Sequence, residues 1–186
     1  MTVRSLKHPF VLASLSLLAL PAMAHPGHGE AVGFLAGLAH PFTGLDHLLA
    51  MLGVGIWGGQ QRRGLAQPAI FLGMMLLGAL AGMAGIGIHG LEMGIAATVA
   101  LTGMAIALAL SLPNWLGMSL VGIFAVVHGN AHGHELPAAS AAFGFMLASA
   151  ILLMTGRLIG QVMAERVVRV AGAAMTAAGL VLMGMN

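Results

Sequence analysis

The chain of 186 residues contains no cysteine, and only 6% of its residues carry charge. Without cysteine there is neither a disulfide nor a thiolate metal site, so any metal must be held by nitrogen, oxygen or thioether. Charge this sparse, beside 59% hydrophobic residues and a mean hydropathy of +0.99, excludes an ordinary soluble domain. Nothing resembling GxxxxGK[ST] occurs, which removes the nucleotide-driven machines, and HExxH is absent as well. What remains is a polytopic helical membrane protein, because only helices satisfy their own backbone in lipid, and its apolar runs have the ~17–20 residues a span requires.

The basic balance says little about partners. Arg4 and Lys7 flank the apolar stretch Pro9 to Leu20, and Pro21-Ala22-Met23-Ala24 follows. This is the pattern of a cleavable secretory signal peptide over 1–24. Cleavage removes two of the seven basic residues and leaves them equal in number to the five acidic ones, so nucleic-acid binding has no electrostatic basis. The remainder, 25–186, reads as one domain of six apolar segments at roughly 31–59, broken near Pro41, then 66–84, 91–110, 115–131, 137–160 and 165–184. The expected fold is therefore all-α: a membrane bundle of six transmembrane helices. Arg62 and Arg63, with Arg157, Arg166 and Arg169, fall on one side of that path, and the positive-inside rule makes it cytoplasmic. The mature N-terminus and the turns at 85–92 and 128–137 then face the periplasm across the inner membrane.

Against this apolar background the ionisable residues are concentrated. HPFTGLDH (His40 to His47) and HGNAHGHE (His128 to Glu135) hold five of the nine histidines. With HGLE (His89 to Glu92) they also hold three of the five carboxylates. Ionisable groups at membrane depth are costly and mark function by default. His128, His132 and Glu135 project from one face if the helix persists, and an i, i+4 histidine pair with a carboxylate one turn on can form a facial ligand set. Gly129 and Gly133 could instead fray the helix and turn His134 inward.

In the first motif, Pro41 suits the first turn of a helix. On a continuous helix His40 and His47 lie about 10 Å apart, too far for one ion. Either the helix is interrupted at Thr43-Gly44 and returns His40 toward Asp46 and His47, or the two histidines serve successive positions along a path. Asp46 could orient His47, although neighbouring side chains diverge by about 100° on a helix, which favours another histidine as its mate. Glu92 also suits a helix N-terminus. HPGHGE, with His25 and His28, would form a capture site at the mouth. Most of the 28 glycines and 15 methionines are packing residues. Met51, one turn beyond His47, is the candidate thioether ligand.

HPFTGLDHLLAMLGVGIWG and VVHGNAHGHELP resemble the two signature segments of the HupE/UreJ family of membrane metal permeases, and the resemblance runs the whole chain. Val127 stands where the family pattern has an aromatic residue. The resemblance implies nickel as the transported ion, with cobalt possible in some members, no tightly bound cofactor, and supply to hydrogenase or urease maturation. It implicates His40, Asp46 and His47 in the first segment and His128, His132 and Glu135 in the second. The residues themselves do not select nickel: imidazole with carboxylate suits nickel, cobalt, zinc or copper(II).

The expected function is therefore uptake of a divalent metal ion from the periplasm across the lipid bilayer. His25, His28 and His134 concentrate the ion, and His128, His132, Asp46 and His47 replace part of its hydration shell. The rival readings are a membrane-embedded zinc hydrolase, in which Asp46 or Glu135 handles a proton, and a haem-binding electron carrier with histidine axial ligands.

Overall fold

The computed structural model describes residues 33–61, 64–135 and 139–185. The signal-peptide stretch, His25, His28, Arg62 and Arg63 lie outside the described residues. Seven helices occur among those described, with no strand: α1 (Phe34–Thr43), α2 (Leu45–Gln60), α3 (Ala66–Met83), α4 (Leu91–Ala107), α5 (Asn114–Glu135), α6 (Ala139–Val162) and α7 (Glu165–Met185). Three of them, α3, α6 and α7, have the length and hydropathy to cross a membrane, and α4 is a shorter apolar helix. Leu76, Leu77, Phe143, Ile151, Val170 and Val181 are among the large apolar side chains that stay exposed, as expected of surfaces that face lipid.

Apolar side chains gain nothing by leaving lipid for one another, so backbone approach and dispersion must hold such helices together. The glycines supply that approach. Gly78 and Gly82 of α3 meet Gly129 and Gly133 of α5 so closely that a Cβ at Gly129 would collide with the Met75 carbonyl, and one at Gly133 with the Ala79 carbonyl. The same device recurs where Gly55 and Gly59 of α2 face Gly156 and Gly160 of α6, and where Gly103 of α4 meets Gly172 of α7. Residue numbers rise together across α3/α5 and across α2/α6, so these pairs run parallel, whereas α4 and α7 run antiparallel. Gly129→Ala is therefore expected to cost about 1–3 kcal/mol, the scale of a forced overpacking, and would be read as a lower unfolding midpoint in detergent.

Two features depart from the sequence reading. The first apolar segment breaks at Gly44, which is extended (φ −101°, ψ 116°), not at Pro41, which lies buried in the last turn of α1. The stop itself comes from Thr43 and Gly44. The Thr43 hydroxyl donates to the His40 carbonyl (2.8 Å), satisfying one of the terminal acceptors. The second departure is in α5, which continues unbroken to Glu135. Gly129 and Gly133, which could have frayed it, are its contact surface with α3.

Antiparallel and parallel neighbours together bring the C-termini of α1, α3 and α5 and the N-termini of α2, α4 and α6 to one end of the bundle. Asn130 fixes the turn between α3 and α4 there: its amide donates to the Ile86 carbonyl (2.7 Å) and its side-chain oxygen accepts from the Ile88 amide (3.1 Å). At the opposite end Trp57 donates to the Leu110 carbonyl (3.0 Å) and Arg169 to the Ala107 carbonyl (2.8 Å).

Candidate metal centre

The break at Gly44 sets the geometry of the first motif. It lets His40, at the end of α1, fold back toward His47 in the first turn of α2, with ring centroids 6.1 Å apart. Across from them α5 presents His128 and His132. The His47 ring lies 4.6 Å from that of His132 and 5.3 Å from that of His128, and His40 lies 5.1 Å from His132. Four imidazoles from three helices thus share one end of the bundle.

Their partners determine which nitrogens remain available. Asp46 accepts from the His47 amide (2.7 Å) and from its Nδ1 (2.8 Å) through the same oxygen. The carboxylate bends over an amide that the first helical turn leaves unpaired. It meets its neighbour's ring there, so Asp46 mates with His47 and not with another histidine. His128 Nδ1 donates to the Phe124 carbonyl (2.9 Å). In both rings an acceptor holds the proton on Nδ1 and leaves the Nε2 lone pair free, the tautomer a metal ligand needs. Both Nε2 atoms are buried without a partner among the described residues, as are both ring nitrogens of His132. Burying polar atoms unpaired costs free energy, and three adjacent rings in that state form a polar chamber in an apolar core.

The cluster is graded from outside to inside. His40 and Glu135 are paired (2.7 Å) and partly exposed, with side-chain exposures of 26% and 42%. His47 is 7% exposed, and His128 and His132 are fully buried. Ligand atoms of His40, His132 and Glu135 all lie within 4.8 Å of one another, close enough to converge on one ion. His47 and His128 extend the array inward. The outer residues line a cavity of about 180 Å³ with Thr43, Gly44, Asp46, Glu92 and an edge of His47.

All six candidate residues, His40, Asp46, His47, His128, His132 and Glu135, are therefore gathered at one end. His134 is exposed, beside Gly87, and His89 is exposed and does not line the cavity. Met51 lies wholly within the apolar core. Glu92 lies in the first turn of α4, as its suitability for a helix N-terminus implies, and it also borders the cavity. Sequence reasoning missed Phe145 of α6, which stacks on His132 (4.5 Å, 22°). No signal marks Phe145 in the sequence, since it is one aromatic residue in an apolar helix. Phe71 of α3 supplies an aromatic neighbour to His128 (6.3 Å), next to the position where Val127 replaces one in the motif.

Fold and site together define a helical membrane protein with an imidazole and carboxylate chamber at one end of its bundle. The family model described as HupE / UreJ protein matches residues 13–182. Protein HupE of Rhizobium leguminosarum bv. viciae is 39% identical over 191 residues, covering 96% of this chain and 99% of that protein. The chain belongs to the HupE/UreJ family. No solved structure matches it. The comparisons lend no support to the hydrolase reading.

Proposed function

We propose that the chain is a multi-pass inner-membrane permease that takes up a divalent transition metal from the periplasm, nickel foremost and cobalt as the alternative. The observation that carries this reading is the set of buried ring nitrogens of His47, His128 and His132 that have no hydrogen-bond partner among the described residues, on rings of which His47 adjoins the other two. Their lone pairs can replace water around a borderline metal ion and offer little to a hard cation such as magnesium, which keeps oxygen ligands.

In this mechanism the ion enters the cavity beside Glu135, Glu92 and His40, where the carboxylates concentrate cations. It exchanges water for His40, His132 and Glu135, then passes to His47 and His128. Asp46 holds the His47 ring in register throughout. Residues 1–24 serve as a signal peptide and 25–186 as a six-helix permease domain, with the chamber end periplasmic and the arginine end cytoplasmic. The nickel admitted would supply hydrogenase or urease maturation.

Imidazole binds metal only when neutral, so protons compete with the ion. Lowering external pH from about 7.5 to about 5.5, across the ordinary histidine range, is expected to slow initial uptake at constant membrane potential. Rates that stay flat over that interval would argue against histidine ligation.

The functional test is accumulation of radioactive nickel in cells expressing the wild type or His128→Ala/His132→Ala at matched membrane abundance, with cobalt, zinc and copper as competitors. Histidine-dependent accumulation is the expected result, and competition ranks the metals. Correct insertion with no uptake of any metal would refute the permease reading.

A further inference from the structure

Below the histidine chamber the chain contains a second buried polar group that none of the motifs includes. Gln67, in the first turn of α3, is 1% exposed. Its Nε2 donates to the Val54 carbonyl of α2 (3.2 Å), whereas its Oε1 is buried with no hydrogen-bond partner among the described residues. Gly58 leaves the space this oxygen occupies, because a Cβ there would stand 2.7 Å from it.

The position of Gln67 matters as much as its chemistry. Residues 47, 51, 54 and 58 follow the i, i+4, i+7, i+11 spacing of one helical stripe, so the Gln67 amide lies on the same face of α2 as His47. It is about 10–16 Å further along the axis. On α3, Gln67 is one turn beyond Phe71, whose ring neighbours His128. The stripe continues to Gln61, where both side-chain amide atoms are again buried without partners among the described residues. Between the chamber and Gln67 stand Met51 and Phe71, both fully buried. Polar histidine layer, apolar layer and polar amide layer thus succeed one another along one line.

We propose that Gln67 is the next coordinating station for the transported ion, its amide oxygen receiving the metal after it passes the Met51 and Phe71 layer, with Gln61 beyond it toward the far end. The proposal rests on the permease reading. Its Nε2 anchors the group to α2, and its Oε1 is left for the ion. A neutral oxygen suits this role: it can replace one water but holds a divalent ion less firmly than the chamber, so the ion can leave. Conduction requires that balance between binding and release.

The test uses full-length protein. Gln67→Leu removes the oxygen at similar volume, and nickel uptake at matched abundance is expected to fall about tenfold or more, the scale of losing one contact around a metal. Equilibrium dialysis of the purified variant should still show wild-type nickel binding, because the histidine chamber is untouched. Gln67→Met replaces a hard oxygen by a soft thioether. It should shift competition in favour of cadmium over nickel, a change that a purely structural role would not produce, and it decides the matter if Gln67→Leu does not fold. Wild-type uptake by Gln67→Leu, or an unchanged metal ranking in Gln67→Met, would overturn the proposal and leave the permease reading intact. A wild-type chain that transports no metal would overturn both.

Discussion

Replacing His132 by alanine is expected to reduce metal uptake by at least about 100-fold, beyond the roughly 10- to 100-fold typical of losing a group that only orients a ligand. His132 is the hinge of the chamber. It neighbours both His40 and His47, belongs to the set that converges with Glu135, and is held flat by Phe145. Removing the ring takes a ligand away from the array that links His40 and Glu135 to His47. It also removes two unsatisfied polar atoms from the core, whose burial is unfavourable. That relief offsets part of the cost of the cavity left by the ring, so the variant should still reach the membrane. Lost uptake at full membrane abundance is the signature of a ligand. Lost abundance would mark a structural residue, and unchanged uptake would remove His132 from the path.

The second large effect is expected at Asp46. Asp46→Asn keeps size and shape but removes the charge and one acceptor function. The wild-type carboxylate oxygen takes both the His47 amide and its Nδ1 proton. The asparagine carbonyl has the lone pairs to accept both, but as a neutral acceptor it makes weaker hydrogen bonds than the carboxylate. The His47 ring is then less basic and less firmly oriented toward the chamber. Metal affinity is expected to fall about 10- to 100-fold, as for other partners that orient a ligating histidine, with the unfolding midpoint nearly unchanged. Equilibrium dialysis with nickel measures it, and affinity equal to wild type would show that Asp46 does not tune the site.

Much of this site is visible in the primary structure because ionisable residues are rare there. His128, His132 and Glu135 are spaced for one face of a helix, and α5 does persist through them. Interruption at Thr43-Gly44 is one of the two alternatives left open by the distance between His40 and His47, and it is the one the chain adopts. The exact stop was less legible: Pro41 is the stronger local signal, but a hydroxyl cap and an extended glycine one turn later decide it. The roles of Gly129 and Gly133 depend on α3, a helix remote in sequence, so local propensity suggested fraying where tertiary contact imposes order. Phe145, Glu92 and Gln67 reach their positions only through the packing of α6, α4 and α3. Glu92 stands out as a rare carboxylate, but Phe145 and Gln67 carry no periodic or compositional mark that separates them from their neighbours.

The measurement closest to the central claim is nickel K-edge X-ray absorption on purified full-length protein loaded with one equivalent of nickel, beside His132→Ala treated identically. The account predicts a wild-type spectrum dominated by imidazole nitrogen with carboxylate oxygen, and loss of the imidazole contribution and of bound nickel in the variant. A wild-type spectrum of aqueous nickel, or one unchanged by the substitution, would contradict it.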